Sequence, residues 1–324
     1  MSSFGGRILV IRGGAIGDFI LTLPAIAALR RQFPEAHLEV LGYPHIAQLA
    51  LAGGLVNRVQ SIEAGALAGF FARGGELVEN LVDYFSVFDV ILSYLYDPDG
   101  IFETNVGLCT GAQFIAGPHR ADERGRLHAA KVYLQPLERL AIFDADPVPR
   151  LALGPRSPAL NHQLSTTNLL ALHPGSGSER KNWPESKWAE LLQHLMSSTE
   201  FDLLLVGGEA EGERLQRLAA GLPPARGRVA QSSPLADVAH LLSACRAFVG
   251  HDSGISHLAA AVGLPGLVLW GDTAEEVWRP PSERVIVLRY PAGLARLPVA
   301  KVVEQLRRVL VESCGLTQGP GSAA

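Results

Sequence analysis

Two α/β domains, each a Rossmann-like parallel sheet, are what this chain predicts, and three observations carry the prediction. Its 324 residues are long for one core and suit two. Short strand-like runs alternate with longer helical patterns from end to end, as parallel strands joined by crossover helices require. A proline-rich stretch without helical period, Asp144 to Pro158, interrupts the alternation once, which sets the expected domains at 1–157 and 158–324. Ligands of such sheets lie outside the carboxyl ends of the strands, so the expected site is a cleft across which the two domains face each other.

In the first half, strands are expected at Arg7–Arg12, His37–Tyr43, Arg58–Ile62, Phe88–Tyr94 and Gln113–Gly117. Helices fall between and after them, at Gly17–Gln32, Pro44–Ala52, Glu76–Tyr84, Gly100–Thr110 and Leu127–Phe143, with Pro24 a local kink inside the first. Residues Ala64–Phe71, apolar and glycine-rich, fit either a membrane-facing loop or a lid over a substrate. The second half repeats the pattern, with strands at Leu169–Leu172, Asp202–Val206, Arg228–Ala230, Ala247–Gly250, Gly266–Trp270 and Val285–Leu288. Its helices are expected at Pro184–Ser197, Glu209–Ala220, Leu235–Ala244 and Ser253–Val262. A last helix over 299–312 could pack back on the first domain, and the small-residue tail 315–324 is expected to be disordered.

Composition excludes several classes. Hydrophobic residues make up 48% and charged residues 19%, which describes a folded protein. A net charge of −4 gives no general attraction for nucleic acid or an anionic membrane. No apolar run reaches the roughly 18 residues of a spanning helix: Ile16 to Leu29 contains Asp18, and Leu258 to Trp270 is broken by Gly263 and Pro265. Arg7 and Arg12 precede any signal-peptide core, so a soluble cytoplasmic protein is expected. Cys109, Cys245 and Cys314 are odd in number and far apart, which fits reduced thiols and neither a disulfide framework nor a cysteine metal site.

Four segments carry chemistry. The first strand runs into Gly13-Gly14-Ala15-Ile16-Gly17-Asp18 and then an apolar helix, a loop ready for an anion. Its G-G-x-x-G spacing is not the dinucleotide fingerprint, and Glu39 sits inside a strand, so a nicotinamide enzyme is disfavoured. Asp18 could take the proton of an incoming hydroxyl or simply cap the helix. The second segment, His173 to Pro184, joins small residues including Ser176 and Ser178 to Arg180 and Lys181, a combination suited to a diphosphate or to a solvated loop. Trp183 and Trp188 read as packing residues. The third places Glu209, Glu211 and Glu213 after a glycine-ended strand, where one acid could hold a ribose while the others complement the helix dipole. The fourth, Phe248 to Pro265, delivers Asp252, Ser253 and Gly254 to a helix start where free amides and the Ser253 hydroxyl could meet a diphosphate. Asp252 could equally be the cap and His257, on the first turn, a packed core residue. His251 and His257 are six apart and lack helical metal-ligand spacing.

Taken together, Arg7-Ile-Leu-Val-Ile-Arg with Gly17-Asp18 and Thr22-Leu23-Pro24, His173-Pro-Gly with Lys181-Asn-Trp-Pro, Val206-Gly-Gly-Glu, and Asp252-Ser-Gly-Ile-Ser-His257-Leu-Ala-Ala-Ala resemble the ADP-heptose:lipopolysaccharide heptosyltransferases, glycosyltransferase family nine. The resemblance covers nearly the whole chain. It implies a GT-B fold and an inverting transfer of heptose, without a metal or cofactor, from ADP-heptose to a lipopolysaccharide inner core. By match of position, it makes Asp18 the general base and Lys181 the lysine on the donor phosphates. Gly17, Ser176, Ser178, Glu211, Asp252, Ser253, Gly254 and His257 join the donor-binding set, with Glu211 on the ribose and Glu209 its near neighbour. Arg120 and Arg124 match arginines that hold an acidic acceptor sugar, and a glycolipid acceptor implies peripheral contact with the inner membrane. Two other readings stay open: a nucleotide-sugar epimerase of the same fold, and a nucleotide-sugar-binding protein without catalysis.

Overall fold

The computed structural model describes residues 5–63, 65–156 and 168–315, apart from the side chains of Ala66 and 312–315. The expected boundary at 157/158, and the tail after Gly315, lie outside these residues. Contacts divide the chain into two compact units, Met1–Gly154 and Pro155–Ala324.

The first unit runs β1 (Arg7–Arg12), α1 (Ile16–Gln32), β2 (His37–Gly42), α2 (Pro44–Ala52), β3 (Arg58–Ser61), α3 (Glu79–Ser86), β4 (Val90–Ser93), α4 (Ile101–Gly107), β5 (Gln113–Ala116) and α5 (Ala129–Leu134). Its strands are all parallel and lie in the order β3-β2-β1-β4-β5. Leu9, Ile11, Leu41 and Ile91 point from one face into a core shared with Phe70, Phe85 and Phe102. Helix α1 is buried from Phe19 to Ile26 and continues through Pro24, whose missing N–H is tolerated because the helix is enclosed by the core.

The second unit runs β6 (Leu169–Leu172), α6 (Glu185–Ser198), β7 (Asp202–Gly207), α7 (Gly212–Ala220), β8 (Gly227–Gln231), α8 (Leu235–Ser243), β9 (Ala247–His251), α9 (Gly254–Ala261), β10 (Gly266–Leu269), α10 (Glu275–Trp278), β11 (Val285–Leu288) and α11 (Val299–Gly315). Its parallel sheet has the order β11-β10-β9-β6-β7-β8. Val299, Val302, Leu306 and Val309 of α11 pack into the same core as Leu267, Leu269, Trp183 and Trp188.

Both sheets share the doubly wound order, reversing direction between β1 and β4 in one unit and between β6 and β9 in the other. Ligands of such sheets sit at that reversal, outside the carboxyl ends of the strands. There lie Arg12 and Tyr94 in the first unit, and His173 and His251 in the second.

Some elements differ from expectation. The helix expected over 127–143 stops at Leu134 and tightens into a 3₁₀ turn, Gln135–Leu140, because Pro136 has no N–H to continue an α-helix. Residues Gly65–Phe71 form a 3₁₀ helix that buries Leu67 and Phe70 and leaves Phe71 exposed. Asn105 fastens its end, with Nδ2 donating to the carbonyls of Phe70 and Ala72 at 3.0 Å each.

Candidate functional site

In the first unit the site is built on the β1–α1 turn. Gly14 takes φ +96°, a backbone region closed to most residues, and lets the chain reverse into α1. Asp18 then falls on the first helical turn, where Oδ2 accepts the Ala15 N–H at 3.3 Å, so the capping role is real. The other oxygen does different work. Oδ1 lies 3.7 Å from Arg12 Nη2 and accepts the Tyr133 hydroxyl at 3.4 Å. Arg12, the last residue of β1, is buried, with its guanidinium 4.5 Å from the Tyr133 ring centre. It donates to the His119 carbonyl at 2.8 Å and reaches the Tyr94 carbonyl at 3.5 Å, so one side chain ties β1, β4 and the β5 exit loop to Asp18. Burial pushes the Tyr133 hydroxyl up, against the pull of Arg12, so it stays a donor to the carboxylate. Gly17 is half-buried beside Asp18 in this unit. Arg120 is exposed and 3.6 Å from Glu123, and Arg124 lies on the exposed 3₁₀ turn that Asp122 caps.

In the second unit the loop His173–Trp183 is fastened on several sides. His251 is fully buried: its Nε2 accepts the Trp183 N–H at 2.9 Å and its Nδ1 donates to the Gly175 carbonyl at 3.1 Å. These two bonds fix the neutral tautomer, and burial pushes its pKa down to about 3. Glu211 is buried, and its two oxygens accept the N–H groups of Gly177 at 3.1 Å and Gly208 at 3.0 Å. A Cβ at position 175 would lie 2.0 Å from Glu211 Cγ, which is why glycine stands there. Arg214 donates to the Pro174 carbonyl and to both oxygens of Glu179. Ser176 Oγ lies 2.8 Å from Asn182 Oδ1, while Ser178 is exposed.

The α9 start lies across this loop. Ser253, not Asp252, is the cap: its Oγ accepts the Ser256 N–H at 3.3 Å, leaving the Gly254 and Ile255 amides at the helix tip. Asp252 is buried with Oδ2 2.7 Å from Lys181 Nζ and 2.7 Å from Thr273 Oγ1. One ammonium hydrogen is thereby committed and two remain. His257 is buried on the first turn of α9. Trp183 and Trp188 are core residues, packed edge to face at 5.5 Å. Glu209 and Glu213 are exposed, so Glu211 alone of the three acids is built into the loop.

The structure thus groups Ser176, Lys181, Glu211, Asp252, Ser253 and Gly254 on the second unit, and Asp18 with Gly17 on the first. Sequence reasoning missed Arg12, Tyr133, His251, Arg214 and Thr273. For Arg12 a signal existed: an arginine ending a continuous aliphatic strand must find buried partners. For the others the sequence carries none, since their partners are remote in the chain.

The profile of Glycosyltransferase family 9 (heptosyltransferase) matches residues 123–299. Lipopolysaccharide heptosyltransferase 1 of Pseudomonas aeruginosa is 30% identical over 82% of this chain and 79% of its own. Among solved structures, E. coli ADP-heptose lps heptosyltransferase II superposes with a TM-score of 0.75 at 19% identity, covering 94% of this chain and 99% of that one. E. coli heptosyltransferase WaaC with ADP-2-deoxy-2-fluoro heptose gives 0.70 at 20% identity, covering 93% and 99%.

Proposed function

This chain belongs to glycosyltransferase family 9, the heptosyltransferases, and we propose that it transfers heptose from ADP-heptose to the inner core of a lipopolysaccharide, in one inverting displacement that needs no metal. The fold is GT-B, two parallel-sheet α/β domains. The observation that carries the reading is the Lys181 ammonium, locked at 2.7 Å on Asp252 beside the start of α9. Its two remaining hydrogens, with the Gly254 and Ile255 amides, supply positive potential to a departing diphosphate. Asp252 would repel that diphosphate if left alone; Lys181 and Thr273 neutralise and occupy it.

Asp18 takes the proton of the acceptor hydroxyl as the oxygen attacks the anomeric carbon and the C–O bond to the diphosphate breaks. Support for a single displacement comes from the donor loops: both oxygens of buried Glu211 are held by backbone amides, and buried Asp252 is ion-paired with Lys181 through Oδ2. Asp18, on the first unit, is only partly buried and keeps lone pairs beyond its bonds to Ala15 and Tyr133. Arg120 and Arg124 then serve the acceptor. A glycolipid acceptor places the protein in the cytoplasm with peripheral contact at the inner membrane; no described helix is long and apolar enough to cross a membrane.

The test is ADP release from ADP-heptose. Release that requires added inner-core acceptor excludes both an epimerase and a passive binding protein. Asp18→Asn should cut transfer roughly 10²–10⁴-fold, with ADP affinity unchanged; undiminished transfer in that variant removes Asp18 as base.

A further inference from the structure

The first unit holds a cavity of about 240 Å³ that none of these roles uses. It opens at the carboxyl ends of β4 and β5, beside the β1/β4 reversal, and its wall includes Ser93, Tyr96, Asp97, Glu103 and His119. Pockets for drug-sized ligands run to roughly 300–1,000 Å³, so this one suits a single sugar ring.

Its wall has two unlike sides. Tyr96 is 69% exposed and rests edge to face on His119, with ring centres 4.7 Å apart. The backbone under that pair is anchored, because the His119 carbonyl accepts from the buried Arg12 at 2.8 Å. Opposite in character are the acids. Asp97 has spent both oxygens on α4, accepting the N–H groups of Phe102 at 3.2 Å and Glu103 at 3.0 Å. The Glu103 carboxylate, on the first turn of α4, is exposed and has no hydrogen-bond or ion-pair partner among the described residues.

An apolar ring face next to an unpaired carboxylate matches a pyranose, which offers C–H bonds on one face and neighbouring hydroxyls at its edge. We propose that this cavity is the acceptor subsite and that it selects a neutral pyranose, which packs on Tyr96 and donates hydroxyls to Glu103. An acidic sugar ring there would face the Glu103 charge, so the acidic part of an acceptor lies elsewhere. Arg12 holds this platform and Asp18 at once, 2.8 Å from the His119 carbonyl and 3.7 Å from Asp18 Oδ1, so subsite and base share one support. The inference rests on the transferase reading for its role, but its chemistry can be tested without turnover.

The experiment is saturation-transfer NMR on the full chain with two probes, the methyl glycosides of a neutral heptopyranose and of Kdo. Wild type should saturate the ring protons of the neutral glycoside. Tyr96→Ala and Glu103→Gln should each lower that signal at least about fivefold, Tyr96→Phe should retain it, and calorimetric ADP affinity should stay within about twofold. No signal from the neutral glycoside, equal signal in Tyr96→Ala, or preference for the Kdo glycoside overturns the subsite. Neutral-glycoside binding that depends on Tyr96, in a protein that never releases ADP from ADP-heptose, instead removes the transferase reading and leaves the sugar site standing.

Discussion

Glu211, proposed for the donor site, is also part of that site's scaffold. Its oxygens hold the Gly177 and Gly208 amides, one from each loop, in a buried position. Glu211→Gln would turn one acceptor into an N–H₂ group facing a backbone N–H. An unsatisfied buried pair of this kind costs about 1–3 kcal/mol, so the melting temperature should fall by several degrees and ADP affinity with it. An unchanged melt would mean the loops do not depend on this carboxylate. His251 predicts a pH dependence. Its folded pKa, about 3, lies below the ordinary histidine value, and that of buried His173 is lowered in the same direction. The unfolded chain therefore binds more protons than the folded one below about pH 6.5, and each histidine removes up to about 1.4 kcal/mol of stability per pH unit as pH falls. Above that pH both are neutral in both states and add no slope. Thermal melts between pH 7.5 and 5, ahead of carboxylate titration, should show this decline, and His251→Gln should flatten it.

At the scale of elements, α9 is set by its first residue. Ser253 accepts the Ser256 N–H, and Ser256 in turn donates to the His251 carbonyl, so the cap joins helix and strand. Ser253→Ala should cost about 1 kcal/mol, and Ser253→Gly only a few tenths; chemical denaturation of the two variants checks the order, and equal losses would assign the effect to something other than the cap. Such elements were legible in the sequence because their signals are local. β1, α2, β6 and β11 fall at the expected residues, since an aliphatic run or a proline at N1 needs no knowledge of the rest of the chain. The capping residue was not legible: Asp252 and Ser253 are adjacent and both suit a cap, and only the Lys181 and Thr273 contacts of Asp252 decide between them. Glu39 teaches the same lesson. An acid in mid-strand looks misplaced until Tyr84 is found donating to it at 2.8 Å, with His37 at 3.4 Å and Arg58 at 3.9 Å. Arg12 joins groups 82 and 107 positions further along the chain, a coincidence no local pattern encodes.

At the scale of the whole molecule, the proposed labour is divided: the diphosphate groups stand on the second unit and the base on the first. A ligand stabilises what it binds, by about 2.7 kcal/mol at a hundred times its dissociation constant, and slows hydrogen exchange where local opening would release it. ADP carries the diphosphate and ribose but no acceptor. Saturating ADP should therefore protect the amides of 175–183, 207–214 and 251–257, where the loop fastened by Glu211 and His251 and the α9 start lie. The β1–α1 turn at 12–18 should exchange as before. Lys181→Ala provides the control, because it leaves Asp252 without its cation and should weaken both ADP binding and the protection near 252, while the amides around Tyr96 stay unaffected. Protection centred on 12–18 with none at 251–257 would reverse the division, moving the donor to the first unit and leaving Lys181 and α9 without the role argued for them.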